Sequence, residues 1–120
     1  MFNNYKELKV WQRSYQLCLL VYKVTAKFPN EERYSLTAQI RGAAVSIPSN
    51  IAEGHGRRIT ADYIRSLYTA CGSMSELETR LLLSADLGYL DGAMLKDITG
   101  EISEIERMLK ALIKSLENKQ

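Results

Sequence analysis

Along most of this chain apolar residues recur every three or four positions, the period of a helix that buries one side. The pattern is sharpest near the end. There Leu95, Ile98, Ile102, Ile105, Leu109, Leu112 and Leu116 keep a strict three-four spacing, the seam of left-handed helix packing. Asp91 is placed to cap the start of that helix, and "ENKQ" is its polar, fraying end. The preceding helix is predicted from about Ala61 to Leu87, with Thr60 as N-cap and Gly88 as stop. Its core face is Tyr63, Ile64, Leu67, Ala70, Cys71, Met74, Leu77, Leu81 and Ala85. Glu78 projects into the middle of that face, and a carboxylate buried there needs a partner.

The first helix is predicted from about Tyr5 to Phe28, ended by Pro29. Lys6, Lys9, Arg13, Lys23 and Lys27 fall within one arc of about 100° on it, and the rest of its circumference is mostly apolar. Between these helices lies "VSIPSNIAEGHGRR", residues 45–58, which reads at first as a loop. A proline inside a helix costs roughly 3 kcal/mol. Yet Leu36, Ile40, Ala43, Ala44, Ile47 and Ile51 keep helical spacing on both sides of Pro48. The second helix therefore runs from Glu31 to about Gly54, kinked at the proline. Ala38, Val45 and Ala52 give it another apolar side, and Gly42, Ser46, Ser49 and Glu53 form a strip of mostly small residues between the two. Two apolar faces here, beside an almost wholly apolar first helix, exceed what one bundle can hide. That surplus predicts a homo-oligomer.

The fold class is thus all-α, a single four-helix-bundle domain over residues 1–120. Composition adds exclusions. Two prolines and seven glycines argue against a multi-turn β architecture and against disorder. The run "LCLLVY" (17–22) is too short to span a bilayer, and "MFNNYKELKVW" lacks the layout of a secretory signal, so no membrane role and a cytoplasmic location are expected. Cys18 and Cys71 are too few for a disulfide framework and read as small buried hydrophobes. Net charge is +2, but residues 1–60 hold nine Lys/Arg against four Asp/Glu, whereas residues 61–120 hold seven against ten. The split points to one basic surface, suited to a polyanion or to an acidic face of a sister subunit.

Gln39, Asn50, Glu53 and Glu78 are the candidates for buried polar positions. They read either as a ligand pocket or, preferably, as a structural cluster in which Gln39 or Asn50 donates to Glu78. "GHGRR" (54–58) has no strand before it and so is no phosphate loop. Its glycines end the second helix, leaving Arg57 and Arg58 as turn residues able to reach phosphates. His55 is the only histidine and reads as an exposed turn residue. No metal site, cofactor site or catalytic constellation is predicted, and the chain reads as a non-enzyme.

"LKVWQRSYQLCLLVYKVTAKFP", "YSLTAQIRGAAVSIPSNIAEGHGR" and "YIRSLYTACGSMSELETRLLLSADLGYL" resemble the proteins encoded in intervening sequences of bacterial 23S ribosomal RNA genes, the 23S rRNA-intervening sequence proteins. The motif positions carried over are Ser46, Pro48, Asn50, Glu53 and Gly54, then Ser73, Glu76 and Glu78. The resemblance implies an antiparallel up-and-down four-helix bundle assembled as a homopentamer. It also implies a fold similar to the accessory variability determinant of diversity-generating retroelements, which binds nucleic acid and a reverse transcriptase. Gly42 departs from a second basic residue expected after Arg41. The expected function is an oligomeric accessory factor that binds RNA or DNA through Lys6, Lys9, Arg13, Lys23 and Lys27, helped by Arg57 and Arg58. The alternative is a scaffold that docks a partner protein without touching nucleic acid.

Overall fold

Breaks in the apolar rhythm set the element boundaries. The structure, a computed structural model, describes residues 4–119. The chain begins with a 3₁₀ turn over Tyr5–Glu7, capped by Asn4, whose side chain accepts from the Lys6 N–H at 2.8 Å. Leu8 is then extended (φ −73°, ψ 125°), which turns its side chain into the core, and α1 runs from Lys9–Thr25. The first helix is therefore shorter at both ends than its periodicity suggested. Thr25 closes it by donating its hydroxyl to the Val21 carbonyl at 2.8 Å, before Pro29 forbids any continuation.

A second 3₁₀ turn, Asn30–Glu32, is held apart from the next helix. The Glu32 carboxylate accepts from the Ser35 hydroxyl at 2.7 Å and the Tyr89 hydroxyl at 3.0 Å. These two bonds, Ser35 foremost, keep its carboxyl below the usual pKa range. Ser35 leaves helical backbone (φ −123°, ψ −99°), so α2 spans Leu36–His55 and starts after, not at, Glu31. Pro48 lies buried inside α2, which continues beyond it, so the stretch is helix and not loop.

α3 spans Thr60–Asp86 and α4 spans Gly92–Glu117. Thr60 is the first helical residue and not the N-cap, a position taken by extended Ile59 without a side-chain bond. Gly88 does stop α3. At φ +85° it lets its own N–H reach Ala85 O (3.0 Å) and the Tyr89 N–H reach Ser84 O (2.9 Å), the Schellman pattern that a Cβ would strain. Asp91 caps α4, its Oδ1 accepting from the Met94 N–H at 2.8 Å. Asp91→Ala is expected to cost about 1 kcal/mol, read as a lower denaturation midpoint with an unchanged m-value.

Each helix packs on two others: α2 on α1 and α3, α4 on α3 and α1. As numbering climbs along α2 from Gln39 to Ser46 to Gly54, the partner on α3 falls from Arg80 to Ser73 to Ser66, so these two run antiparallel. The centre is filled by Leu17 and Val21 from α1, Ile40, Ile47 and Ile51 from α2, Leu67, Leu77 and Leu81 from α3, and Ile98, Ile105 and Leu109 from α4. Cys18 and Cys71 are free and half-buried, and burial pushes both thiols above their ordinary pKa. Among the described residues no helix is long and apolar enough to cross a membrane.

Candidate nucleic-acid interface

α1 has two outward edges of opposite character. Lys9 and Lys23 stand exposed along one side of it, with Lys6 exposed in the preceding 3₁₀ turn and Lys27 exposed in the turn that follows the helix. Arg13 belongs to the same arc but is not free. Its guanidinium donates to both carboxylate oxygens of Glu101 on α4, at 2.9, 3.1 and 3.2 Å. The pair is bidentate but well exposed, which makes it an α1–α4 staple of at most about 1 kcal/mol. The sequence offered only Glu7 as an offset to this arc, because a partner 88 positions away leaves no local trace. Arg57 is likewise engaged, 3.3 Å from Glu53 one turn back, while Arg58 is exposed in the turn before α3. Tyr5 and Ala52 line one groove, so Lys6, Lys9 and the Arg57–Arg58 turn gather at one end of the molecule.

The other edge of α1 is apolar. With α2 it walls an open groove of about 450 Å³, lined among others by Trp11, Tyr15, Leu19, Tyr22, Val45 and Pro48. Trp11 stacks on Tyr15 at 5.0 Å between ring centroids and takes the Tyr5 ring at its edge at 5.3 Å, which stiffens one wall. Tyr15, Leu19 and Tyr22 are 45%, 52% and 42% exposed, so the second apolar side read into α2 meets that of α1 in solvent. Leu82, Leu83 and Leu87 form a separate exposed apolar group on α3 and just after it.

The polar cluster expected around Glu78 is not formed. Gln39 and Glu53 are exposed, and Glu78 is half-buried. Asn50 donates its amide instead to the carbonyl of Ser46 at 2.8 Å and to its hydroxyl at 3.0 Å, within its own helix. The Ser46 hydroxyl also accepts from Ser73 of α3 at 2.8 Å. The polar seam is thus buried Ser73 with half-buried Ser46 and Asn50, beside Pro48, where a missing N–H loosens the helix ladder. Gln39 contributes its backbone carbonyl, which accepts from Arg80, itself 3.4 Å from Glu76. The core face of α3 is rotated toward α2 accordingly: Ser66, Ser73 and Ser84 are buried, whereas Tyr63, Cys71 and Ala85 are only partly so. Seven-residue spacing of Ser66 and Ser73 was the available signal, hidden because serine is counted as polar.

Of the two glycines expected to end α2, Gly56 is its C-cap, whereas Gly54 is not a helix stop. It is buried within α2, where a Cβ would lie 2.8 Å from both Ser66 Cβ and Tyr63 Cδ1. His55 ends α2 half-buried with its ring edge-on to Tyr63 at 6.0 Å, so it is not an exposed turn residue. Arg41 lies over the Tyr22 ring at 4.5 Å and donates to Thr25 and to the Tyr22 carbonyl. Among the described residues no three His, Cys, Asp or Glu side chains come together as a metal site.

Comparison with known proteins adds two findings. The family described as 23S rRNA-intervening sequence protein matches residues 6–111. A crystal structure of a protein of unknown function from the S23 ribosomal protein family of Bacteroides thetaiotaomicron is similar at a TM-score of 0.81 and 25% identity, covering 88% of this chain and 95% of that one. No curated protein matches the chain.

Proposed function

Because the chain belongs to the 23S rRNA-intervening sequence protein family, we propose that it acts as a cytoplasmic, non-enzymatic homo-oligomer, pentameric on the resemblance, that binds RNA or DNA as an accessory factor. The observation that carries this reading is the division of α1. Lys9 and Lys23 on one edge, and Lys27 in the turn after it, take part in no ion pair among the described residues, while the opposite edge is apolar and open. The apolar edge suits contact with another copy, which leaves the lysine edge outward for a phosphate backbone. Such contacts position a nucleic acid without reading its sequence, so selectivity comes from shape.

Fluorescence anisotropy with structured RNA and duplex DNA, titrated across salt, tests the assignment. Lys9→Glu/Lys23→Glu/Lys27→Glu is expected to weaken binding by more than about tenfold and to flatten the log–log salt slope by about three. Unchanged affinity and slope would remove the lysine edge from the interface.

A second reading is favoured by Arg13–Glu101 and by exposed Leu82, Leu83 and Leu87. Part of the basic arc is already neutralised from within, and a further apolar group offers a protein docking site. On this reading the protein is a scaffold whose charges complement neighbouring subunits. High salt then dissociates the oligomer, whereas the nucleic-acid reading keeps it intact.

A further inference from the structure

Where α1 ends and α2 begins, a polar recess of about 240 Å³ is lined by Thr25, Arg33, Thr37 and Arg41, among others. Arg41 is fixed there. Its Nε donates to Thr25 Oγ1 at 2.9 Å, its Nη2 donates to the Tyr22 carbonyl at 3.2 Å, and the Tyr22 ring supports its plane. A guanidinium has five N–H groups, so most of its donors remain after these two bonds. Arg33 rests 5.4 Å from the Tyr34 ring with its N–H edge unpaired to any carboxylate among the described residues.

Thr37 supplies the independent sign of a ligand. It is 5% exposed, and its Oγ1 has no hydrogen-bond partner among the described residues. A buried hydroxyl left in that state costs about 1–3 kcal/mol. Thr37 sits in the first turn of α2, whose Leu36 N–H already bonds the Glu32 carboxylate, so the attraction for an anion comes from the two guanidiniums. The nearest acid of the preceding turn, Glu32, is already bound by Ser35 and Tyr89.

We infer that this recess is an oxyanion site that takes a phosphate group, held by the free N–H groups of Arg33 and Arg41 and by the Thr37 hydroxyl. Two guanidiniums exclude a cation, and Arg33 from the intervening turn lines the recess together with Thr37 and Arg41 from α2, which gives an oxyanion both N–H and O–H donors. Of the lysines along α1, Lys27 lies between the lining residues Ala26 and Phe28, whereas Lys9 lies at the far end of the helix.

The test is calorimetric titration of inorganic phosphate into the full chain in phosphate-free buffer. One saturable site per chain is expected. Arg33→Ala, at an exposed position, should weaken it about tenfold, and Thr37→Val, which keeps the shape and removes the hydroxyl, about threefold. Thr37→Val should not lower the melting temperature without phosphate, because the deleted hydroxyl has no partner to lose. Lys9→Glu, at the far end of α1, should keep its phosphate affinity, which separates this site from the lysine edge. Absence of saturable phosphate binding, or equal affinity in parent, Arg33→Ala and Thr37→Val, would overturn the inference. A parallel titration with a short single-stranded RNA identifies the source. RNA binding weakened by Arg33→Ala assigns the phosphate to a nucleic-acid backbone, and RNA binding unmoved assigns it to a free phosphate; the site stands in both cases.

Discussion

Gly54→Val is expected to cost about 3 kcal/mol or more and to lower the melting temperature by roughly 10 °C. A Cβ at this position already falls 2.8 Å from Ser66 Cβ and from Tyr63 Cδ1, with the Tyr63 carbonyl oxygen at 3.3 Å. Neither neighbour yields cheaply. Ser66 Cβ is fixed to its own backbone, and the Tyr63 ring is half-buried against His55. Making room therefore means moving α3 away from α2, which loosens Ile51 and Leu67 at the same level. Gly42 is the internal control: it is exposed in the same helix and a Cβ there meets nothing within 4 Å. Gly42→Ala should stabilise by up to about 1 kcal/mol through helix propensity alone. Thermal melts followed by circular dichroism check both, and a Gly54→Val protein as stable as the parent would mean that α2 and α3 do not approach as closely as described.

The contrast between these two glycines shows what the sequence could convey. Four helices, the capping role of Asp91, the stop at Gly88 and the apolar seam of α4 are local properties, written in spacing and in cap residues. Passage of α2 through Pro48 was legible for the same reason, because the periodicity on either side stays in register. Pairings between helices were not. Glu78 looked buried because its neighbours on the helical wheel are apolar, but the wheel does not say that Ser66 and Ser73 face α2 in their place. Arg13 looked free because Glu101 is far along the chain, and Gly54 looked like a helix end because glycine usually is one. At the recess between α1 and α2, Thr25, Arg33, Thr37 and Arg41 are spaced in multiples of four, but the chain leaves the helix between Thr25 and Leu36, so only the fold shows that they line one recess.

Leu19→Asp is expected to convert the proposed oligomer to monomer, seen by light scattering, with little change in the fold of each chain. Leu19 is half-exposed on the apolar edge of α1, beside Tyr15 and Tyr22, and in the single chain it faces the open groove and not the core. A substitution at such a site usually shifts a monomer's stability by no more than about 0.5 kcal/mol. Placed against a second copy, the same carboxylate is desolvated without a partner, which costs several kcal/mol, and it recurs at every interface of a closed ring. The groove on α1 and α2 differs from the Leu82, Leu83 and Leu87 group, so a contact between them is head-to-tail and must close or grow. Loss of assembly then carries a functional signature. A monomer presents one lysine edge where the oligomer presents several, and apparent affinity for a long RNA should fall by about a hundredfold or more, although Lys9, Lys23 and Lys27 are untouched. An oligomer of unchanged mass after Leu19→Asp would show that the groove is not the self-association face, and an RNA affinity lost without loss of mass would place Leu19 on the nucleic-acid side of α1.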